Sequence, residues 1–270
     1  EAVFERMAVK LELFGQLDRV ARPGAILASN TSFRDIDKIA AATGRSDWVI
    51  GLHFFSPANV MRLLEVVRGE KTSKTVLATA LKLAKKIGKV PVVSRVSHGF
   101  IANRLMVPRL RQAEALVLEG PTPAEIDEVI RDYGFAMGPF QMIDLVGLDV
   151  IGRDDEQRSL RKQLVALGRL GQKSGGGFYD YDEKRRPTPS PIAAEVIADF
   201  AREEGIENNG PQTADAILAR LMYPVVNAGA RILEEGIAAR ASDLNVAAIL
   251  GYGWPVYTGG PMAWADEVGL

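Results

Sequence analysis

The feature that most constrains the fold is a change of pattern near residue 95. Before it, short apolar segments typical of buried strands alternate with segments whose apolar residues recur every three or four positions, as in helices. After it, helical patterns dominate and strand patterns are hard to find. Strands separated by helices predict an α/β layer with a partly parallel sheet. The fold class is therefore α/β followed by an all-α region.

The individual patterns place this change more closely. Strands are predicted for AILAS, WVIGLHFF, MRLLEVVRG and VPVVS. Helices of the first part are predicted for residues 4–20, DIDKIAAAT and SKTVLATALKLAKKIGK, where Ser73 is a plausible N-cap. Later helices are predicted for residues 100–118, PAEIDEVIRDYG, QRSLRKQLVALGRLG, PIAAEVIADFAREEG and ADAILARLMYPVVNAGARILEEG. KSGGGFYDYDEKRRPTPSP, which is rich in Gly and Pro, is predicted to be a loop.

The helical part contains an internal repeat. RLMVP at Arg104 recurs as RLMYP at Arg220, and ALVLEG recurs as RILEEG. YGFAMGPFQMIDLVGL recurs as YGWPVYTGGPMAWADEVGL. Landmarks that return in the same order indicate two copies of one helical unit.

Composition excludes several classes of protein. The chain has no cysteine, which excludes disulfides, thiol nucleophiles and zinc fingers, and no metal site is predicted. The formal net charge of −1 and the pI of about 6.3 give no electrostatic case for nucleic acid or for a membrane surface. No apolar run approaches the roughly 20 residues that span a bilayer. EAVFERMAVK does not read as a signal peptide, so secretion is not expected.

Four polar residues in or beside apolar segments are candidates for chemistry. Ser32 and His53 each follow or end a predicted strand, and ligands bind outside the carboxyl ends of strands in open α/β sheets. Glu65 lies within LLEVV and needs a partner if it is buried, for which a histidine is suitable. Asn103 lies at the start of a long helix. Each residue taken alone also fits a structural role, as a cap, a strand-end residue or a solvent-facing residue.

A family resemblance joins these residues. ASNTS, GLHFFSPANVMRLLEVVRG, GFIANRLM and GRLGQKSGGGFYDY together resemble the NAD-dependent (S)-3-hydroxyacyl-CoA dehydrogenases of fatty-acid β-oxidation. The blocks follow the order of the family and cover nearly the whole chain. The duplicated helical unit is similar to that of the large multifunctional members, in which an enoyl-CoA hydratase domain precedes the dehydrogenase.

The resemblance implies a role for each of the four candidates. His53 corresponds to the catalytic base and Glu65 to its carboxylate partner. Ser32 and Asn103 correspond to the residues that hold the 3-oxygen of an acyl-CoA substrate.

The resemblance also implies NAD as cofactor. Glu5, Lys10, Asn30 and Ser32 correspond to positions that contact it. The family's first strand and Gly-rich pyrophosphate loop are expected before Glu1. The segment at residues 150–157 is expected to be shorter than the family's loop.

Three regions follow from the resemblance. Residues 1–96 are expected to be the C-terminal part of an incomplete Rossmann-type NAD-binding domain. Residues 97–204 are expected to be the first copy of the helical C-terminal domain, and residues 205–270 an incomplete second copy. The two copies are expected to form an internal pseudo-dimer, in a protein that is a monomer or a homo-oligomer.

Other readings stay open from the sequence. The three alternatives are a catalytically silent fragment, a dehydrogenase of a small 3-hydroxy acid, and a helical interaction module. A lysine base is expected in the small-acid enzymes, where this chain has His53 with Glu65 nearby. The expected location is the cytoplasm of a bacterium or the peroxisome.

Overall fold

The computed structural model describes residues 1–151 and 158–270. Six residues of the segment 150–157, for which a short loop was expected, therefore lie outside the described residues. The helices are α1 Met7–Val20, α2 Ile36–Ala41, α3 Lys74–Lys86, α4 Ala102–Leu118, α5 Pro123–Asp132, α6 Pro139–Val146, α7 Leu148–Ile151, α8 Leu160–Ala166, α9 Pro191–Glu203, α10 Ala214–Glu234, α11 Ala241–Tyr252 and α12 Pro261–Val268. The strands are β1 Leu27–Ser29, β2 Val49–Phe54, β3 Leu63–Arg68, β4 Val90–Arg95, β5 Tyr179–Tyr181 and β6 Pro187–Pro189.

The larger sheet has the strand order β1-β2-β3-β4 and is partly parallel, as predicted. β1 pairs with β2 in parallel, β2 with β3 antiparallel, and β3 with β4 in parallel. The parallel pairing of β1 and β2 brings their carboxyl ends to the same edge of the sheet. The antiparallel pairing places His53 directly opposite Glu65.

Helices cover both faces of this sheet because alternate strand residues point to opposite sides. Val49 packs in one apolar cluster with Phe14 of α1 and Ile36 of α2. Its neighbour Ile50 packs in a second cluster with Val76 of α3. The first part of the chain is thus a three-layer α/β arrangement.

Several elements differ from the sequence prediction. The short helices α6, α7, α11 and α12 were not predicted, and the segment predicted to be a loop contains the hairpin of β5 and β6. Two of the missed helices, α6 and α12, start with Gly-Pro, in which proline occupies the first helical position. Proline is favoured there because an N–H group in the first turn has no acceptor within the helix, so a residue without an N–H loses no hydrogen bond.

The chain forms two compact units, and one of them combines two segments that are far apart in sequence. One compact unit consists of Glu1–Val107 together with Val225–Leu270, and the other is Pro108–Pro224. Both divisions fall at a proline inside a long helix, Pro108 in α4 and Pro224 in α10. The predicted regions 1–96, 97–204 and 205–270 are each continuous in sequence, whereas one compact unit joins residues 1–107 with residues 225–270.

In the described part of the chain, α10 is a helix long and apolar enough, by length and composition alone, to cross a membrane. This differs from the expectation that no apolar segment approaches that length. The core helix of a soluble protein meets the same test. Buried residues occur along α10, at Ile217, Leu221, Met222, Val225 and Ile232.

Candidate active site

His53 and Glu65 form a buried pair at the centre of the candidate site. Residues directly opposite each other in an antiparallel pair have their side chains on the same face, so the register of β2 and β3 brings these two together. His53 Nδ1 lies 2.6 Å from Glu65 Oε2, and the two residues are 4% and 0% exposed. The Nδ1 edge of the imidazole therefore faces the carboxylate, and Nε2 is left for another partner.

The second oxygen of Glu65 is held by the start of α4. The backbone N–H groups of Ile101 and Ala102 donate to Oε1 at 3.0 and 2.9 Å. These groups have no acceptor within the helix, because the first turn of a helix leaves its N–H groups unpaired. The carboxylate therefore receives a donor on each oxygen, and its burial is compensated without a cation.

Two aromatic rings contact the imidazole of His53. The ring of Phe55 lies 4.4 Å from it and the ring of Phe100 lies 5.8 Å from it, measured between centroids. Together with the bond to Glu65, these contacts restrict the tilt of the imidazole.

The α11 helix approaches this site closely at Gly251. A Cβ atom added to Gly251 would lie 3.0 Å from Leu63 Cδ2 and 3.6 Å from Phe55 Cε1. A side chain at this position would require Leu63 to move by a few tenths of an ångström, so glycine permits the close approach. The C-terminal part of the chain thus packs against the start of β3 and against a neighbour of His53.

Ser32 lies in a loop that follows β1 and is organised by Glu5. Glu5 Oε1 accepts from the Thr31 hydroxyl at 2.5 Å and from the N–H groups of Ser32 and Phe33 at 3.0 and 3.3 Å. The backbone carbonyl of Glu5 accepts from the guanidinium of Arg34. One carboxylate thus fixes the backbone that presents Ser32.

Ser32 and Asn103 keep their polar groups available. Both residues are half-buried, and within residues 1–151 and 158–270 neither side chain makes a hydrogen bond to the protein. Ser32 follows β1, and Asn103 lies in the first turn of α4, one residue beyond the amide groups that hold Glu65. His98, which precedes this turn, has its ring 5.2 Å from that of Phe33.

The predicted cofactor positions gather at the end of β1, but they are not equally available. Lys10 is fully buried, and its Nζ lies 3.0 Å from Glu1 Oε1, 3.0 Å from the Asn30 carbonyl and 3.3 Å from Glu5 Oε2. The Asn30 side chain accepts from Phe54 N at 3.2 Å, which ties β1 to β2. Lys10 and Asn30 therefore stabilise the loop from within, while Ser32 is open. An open hydroxyl at the carboxyl edge of a sheet fits a dinucleotide, which binds at that edge.

The sequence prediction missed a group of buried charged residues in the helical part. Asp127 accepts from Phe140 N, Gln141 N and the Tyr179 hydroxyl at 2.8 to 3.0 Å. Burial raises the pKa of the Asp127 carboxyl to about 6, against these hydrogen bonds, which lower it.

A second buried carboxylate explains the glycines of KSGGGF. Asp144 accepts from the N–H groups of Phe178 and Tyr179 at 2.9 and 3.0 Å, and burial raises its pKa. A Cβ atom on Gly177 would overlap Asp144 Oδ1, and one on Gly176 would lie 2.8 Å from the Arg169 guanidinium. The glycine run allows the backbone to pack closely on these two side chains. Three consecutive glycines were therefore the sequence signal that could have indicated this buried group.

Known proteins match both parts of the chain. A family model described as 3-hydroxyacyl-CoA dehydrogenase, NAD binding domain, matches residues 1–97, and the one described as its C-terminal domain matches residues 99–181. The peroxisomal bifunctional enzyme of Homo sapiens is 42% identical over 296 residues, covering 100% of this chain and 40% of that protein. The peroxisomal fatty acid beta-oxidation multifunctional protein of Oryza sativa subsp. japonica is 39% identical, covering 100% of this chain and 39% of that protein. The chain thus spans about two fifths of the length of these relatives.

Solved structures agree with these matches. The dehydrogenase part of multifunctional enzyme 1 from C. elegans has a TM-score of 0.66 and 33% identity, covering 96% of this chain and 61% of that one. The 3-hydroxybutyryl-CoA dehydrogenase from Escherichia coli K12 has a TM-score of 0.81 and 28% identity, covering 99% of this chain and 74% of that one. With a Rossmann-like NAD-binding domain followed by a helical C-terminal domain, the chain belongs to the 3-hydroxyacyl-CoA dehydrogenase family, which are NAD-dependent oxidoreductases.

Proposed function

We propose that this chain carries out the oxidation of (S)-3-hydroxyacyl-CoA to 3-oxoacyl-CoA with NAD in fatty-acid β-oxidation. The observation that carries this proposal is the buried His53–Glu65 pair, in which Glu65 takes one imidazole nitrogen and leaves the other free. A buried pair of this kind at the carboxyl end of a strand has the form of a general base with its orienting partner.

Each residue of the site then has a defined role in the reaction. His53 Nε2 takes the proton of the 3-hydroxyl, and Glu65 stabilises the imidazolium that results. The two amide groups on Glu65 Oε1 hold the carboxylate in place. Ser32 and Asn103 donate to the substrate oxygen as it becomes a carbonyl. NAD, when bound, supplies the acceptor for the hydride that leaves C3.

We further propose that Glu5, Lys10 and Asn30 serve the cofactor by shaping the loop that carries Ser32. The network of Lys10 with Glu5 and the Asn30 carbonyl supports this role, because it fixes the backbone on both sides of Thr31. Direct contacts of Glu5, Lys10 and Asn30 with NAD stay predictions.

The substrate class is tested by comparing a thioester with the free acid. A polypeptide that contains residues 1–270 is given NAD and either (S)-3-hydroxybutyryl-CoA or (S)-3-hydroxybutyrate, and NADH formation is followed. Oxidation of the thioester alone is expected. Oxidation of the free acid at a comparable rate would show an enzyme for small acids. Absence of both reactions, with the protein folded, would favour the silent-fragment reading.

We also propose that the helical part holds a second, incomplete copy of the C-terminal domain. Two helix caps support this. Asp127 Oδ1 accepts from Phe140 N in the first turn of α6 at 2.9 Å, and Asn245 Oδ1 accepts from Met262 N in the first turn of α12 at 2.8 Å. A Cβ atom on the glycine before each helix, Gly138 or Gly260, would overlap the side chain that caps it. The repeated sequence therefore recurs as the same local packing.

Two ion pairs support an internal pseudo-dimer of these copies. Arg104 binds Glu235 through two N–O contacts of 2.6 and 2.7 Å, and Arg220 binds Glu119 through two of 2.9 and 3.0 Å. Arg220 is the repeat counterpart of Arg104, and Glu235 is the counterpart of Glu119, both 116 positions later. Each pair lies within one compact unit. Reciprocal contacts between counterparts are what a two-fold, isologous interface requires.

The relatives support a wider setting for the protein. The curated matches carry names of peroxisomal or glyoxysomal bifunctional or multifunctional enzymes, so we propose the peroxisome as its location and a further activity for the whole protein. The resemblance of the sequence to the multifunctional members makes an enoyl-CoA hydratase the proposed further activity. Whether the whole protein is a monomer or a homo-oligomer follows from its mass in solution, measured by light scattering.

A further inference from the structure

Phe100 has a backbone conformation that its residue type disfavours. Its φ is +51°, and among the described residues Phe100 and Arg185 are the non-glycine residues with positive φ. Arg185 lies in the exposed turn between β5 and β6, whereas Phe100 is fully buried. A left-handed conformation is strained in a bulky residue and persists only where the surroundings enforce it.

This conformation aims two donors at Glu65. Gly99 precedes Phe100 with φ of +76°, so two consecutive residues have left-handed φ just before α4. The next two N–H groups, of Ile101 and Ala102, then both point at Glu65 Oε1. The turn is closed by the Phe100 N–H, which donates to the Ser97 carbonyl at 3.1 Å. Gly99 and the strained Phe100 therefore set the direction in which the chain enters the helix.

The side chain of Phe100 connects this turn to the core and to the base. It belongs to the apolar cluster that contains Phe14, Ile36 and Val49, which anchors the residue despite its backbone strain. The same ring lies 5.8 Å from the imidazole of His53. One residue thus supports both members of the pair, Glu65 through the backbone and His53 through the ring.

We propose that Gly99 and Phe100 are positioning residues of the dehydrogenase site, which hold the Glu65 carboxylate and the His53 imidazole in the geometry for proton transfer. This inference rests on the proposed function, because it assigns a task to residues that act through His53 and Glu65. It predicts that changes in the turn alter turnover and its pH dependence more than they alter substrate binding.

The first test changes the turn without changing the ring. Gly99→Ala puts a Cβ in a left-handed position, 3.2 Å from the Arg104 nitrogen and 3.3 Å from Asn103 Cβ. Gly88→Ala is the matched control, since Gly88 has φ of +74° and no atom near its added Cβ. We expect kcat to fall about 10- to 100-fold in Gly99→Ala, as for a displacement of about 1 Å in a catalytic group, and to stay unchanged in Gly88→Ala.

The pH profile separates positioning from a general loss of structure. The two amide donors stabilise the negative charge of Glu65. When they are withdrawn, that charge is less stabilised, so the pair of His53 and Glu65 binds a proton more tightly. The acid limb of kcat should therefore move to higher pH in Gly99→Ala. The limb should stay in place in Gly88→Ala.

The second test changes the ring without adding a Cβ to the turn. Phe100→Leu removes the contact with His53, and Phe14→Leu is the matched control, because Phe14 is equally buried in the same cluster. Both variants should lower the midpoint of urea unfolding, but only Phe100→Leu should lower kcat, by about 10-fold or more. The KM for the acyl-CoA should change less than kcat does.

The outcomes separate this inference from the proposed function. If the unaltered protein does not oxidise the thioester, the proposed function fails. If it does, and both Gly99→Ala and Phe100→Leu match their controls in kcat and in the acid limb, the positioning role is overturned. If Phe100→Leu does not fold, Gly99→Ala alone decides, because its ring and core are intact.

Discussion

At the scale of single residues, the chemistry depends on one imidazole. His53→Gln should keep the apolar contacts of β2 but remove the base. Because a positioned base contributes about 10²- to 10⁴-fold, kcat for 3-hydroxyacyl-CoA oxidation should fall by that factor. His98→Gln is the control, since His98 is the other histidine of the chain and is exposed. Turnover of His53→Gln close to that of His98→Gln would contradict the assignment.

The partner of the base is tested by pH. Glu65→Gln keeps an acceptor for His53 and removes the negative charge that favours the imidazolium. The base then stays neutral at lower pH, so the acid limb of the pH–rate profile should move to lower pH, opposite to the shift expected for Gly99→Ala. A limb that stays in place with full activity would mean that the two side chains do not interact during turnover.

The pairing of His53 with Glu65 could be predicted from the sequence, but the contacts that hold the pair in place could not. Both residues lay in recognisable strands, and a buried carboxylate needs a partner. The antiparallel register that places them opposite each other has no local signal, because it depends on how residues 55–62 return the chain. The left-handed Phe100 is also unpredictable, since phenylalanine disfavours that conformation and only the surrounding core enforces it.

At the scale of elements, the helical part contains a carboxylate whose protonation affects folding. The folded-state pKa of Asp127 is about 6, above its ordinary value of 3.8, so its contribution to stability is present below pH 3.8 and is lost as the pH rises through 6. The free energy of unfolding of the wild type, relative to Asp127→Asn, should fall by up to about 3 kcal/mol between these pH values, at about 1.4 kcal/mol per unit.

Urea unfolding at several pH values measures this difference. Asp132→Asn is the control, because Asp132 is an exposed residue of the same helix, and its difference from the wild type should be flat with pH. A flat difference for Asp127→Asn as well would show that burial does not control this carboxyl.

Six helices, α1, α3, α4, α5, α9 and α10, and the four strands of the larger sheet were predicted to within a few residues, because their apolar patterns mark them. The short helices α6 and α12 were missed because their start is fixed by tertiary contacts, from Asp127 and Asn245, which lie more than ten residues earlier. Gly-Pro at the start of each was the available local signal.

At the scale of the whole molecule, the reciprocal ion pairs predict equal behaviour of equivalent positions. Arg220→Glu should destabilise the protein by about 1 kcal/mol, since a well-placed surface pair contributes up to that amount and like charges repel. Glu119→Arg in the same chain should restore most of the loss. The counterpart pair Arg104→Glu and Glu235→Arg should give the same pattern in urea unfolding. Recovery in only one of the two double variants would argue against a two-fold relation.

The contact of Gly251 with Leu63 and Phe55 has a consequence for biosynthesis. These residues are far apart in sequence, and they share a compact unit that consists of Glu1–Val107 and Val225–Leu270. At about 5–20 residues per second, synthesis of α11 is complete roughly 7–30 s after residue 107. During that interval the parts of β3 and β4 that α11 contacts stay uncovered on the nascent chain. Chaperones that bind apolar surface should therefore recognise this protein while residues 108–250 are being made, and release it once α11 has docked.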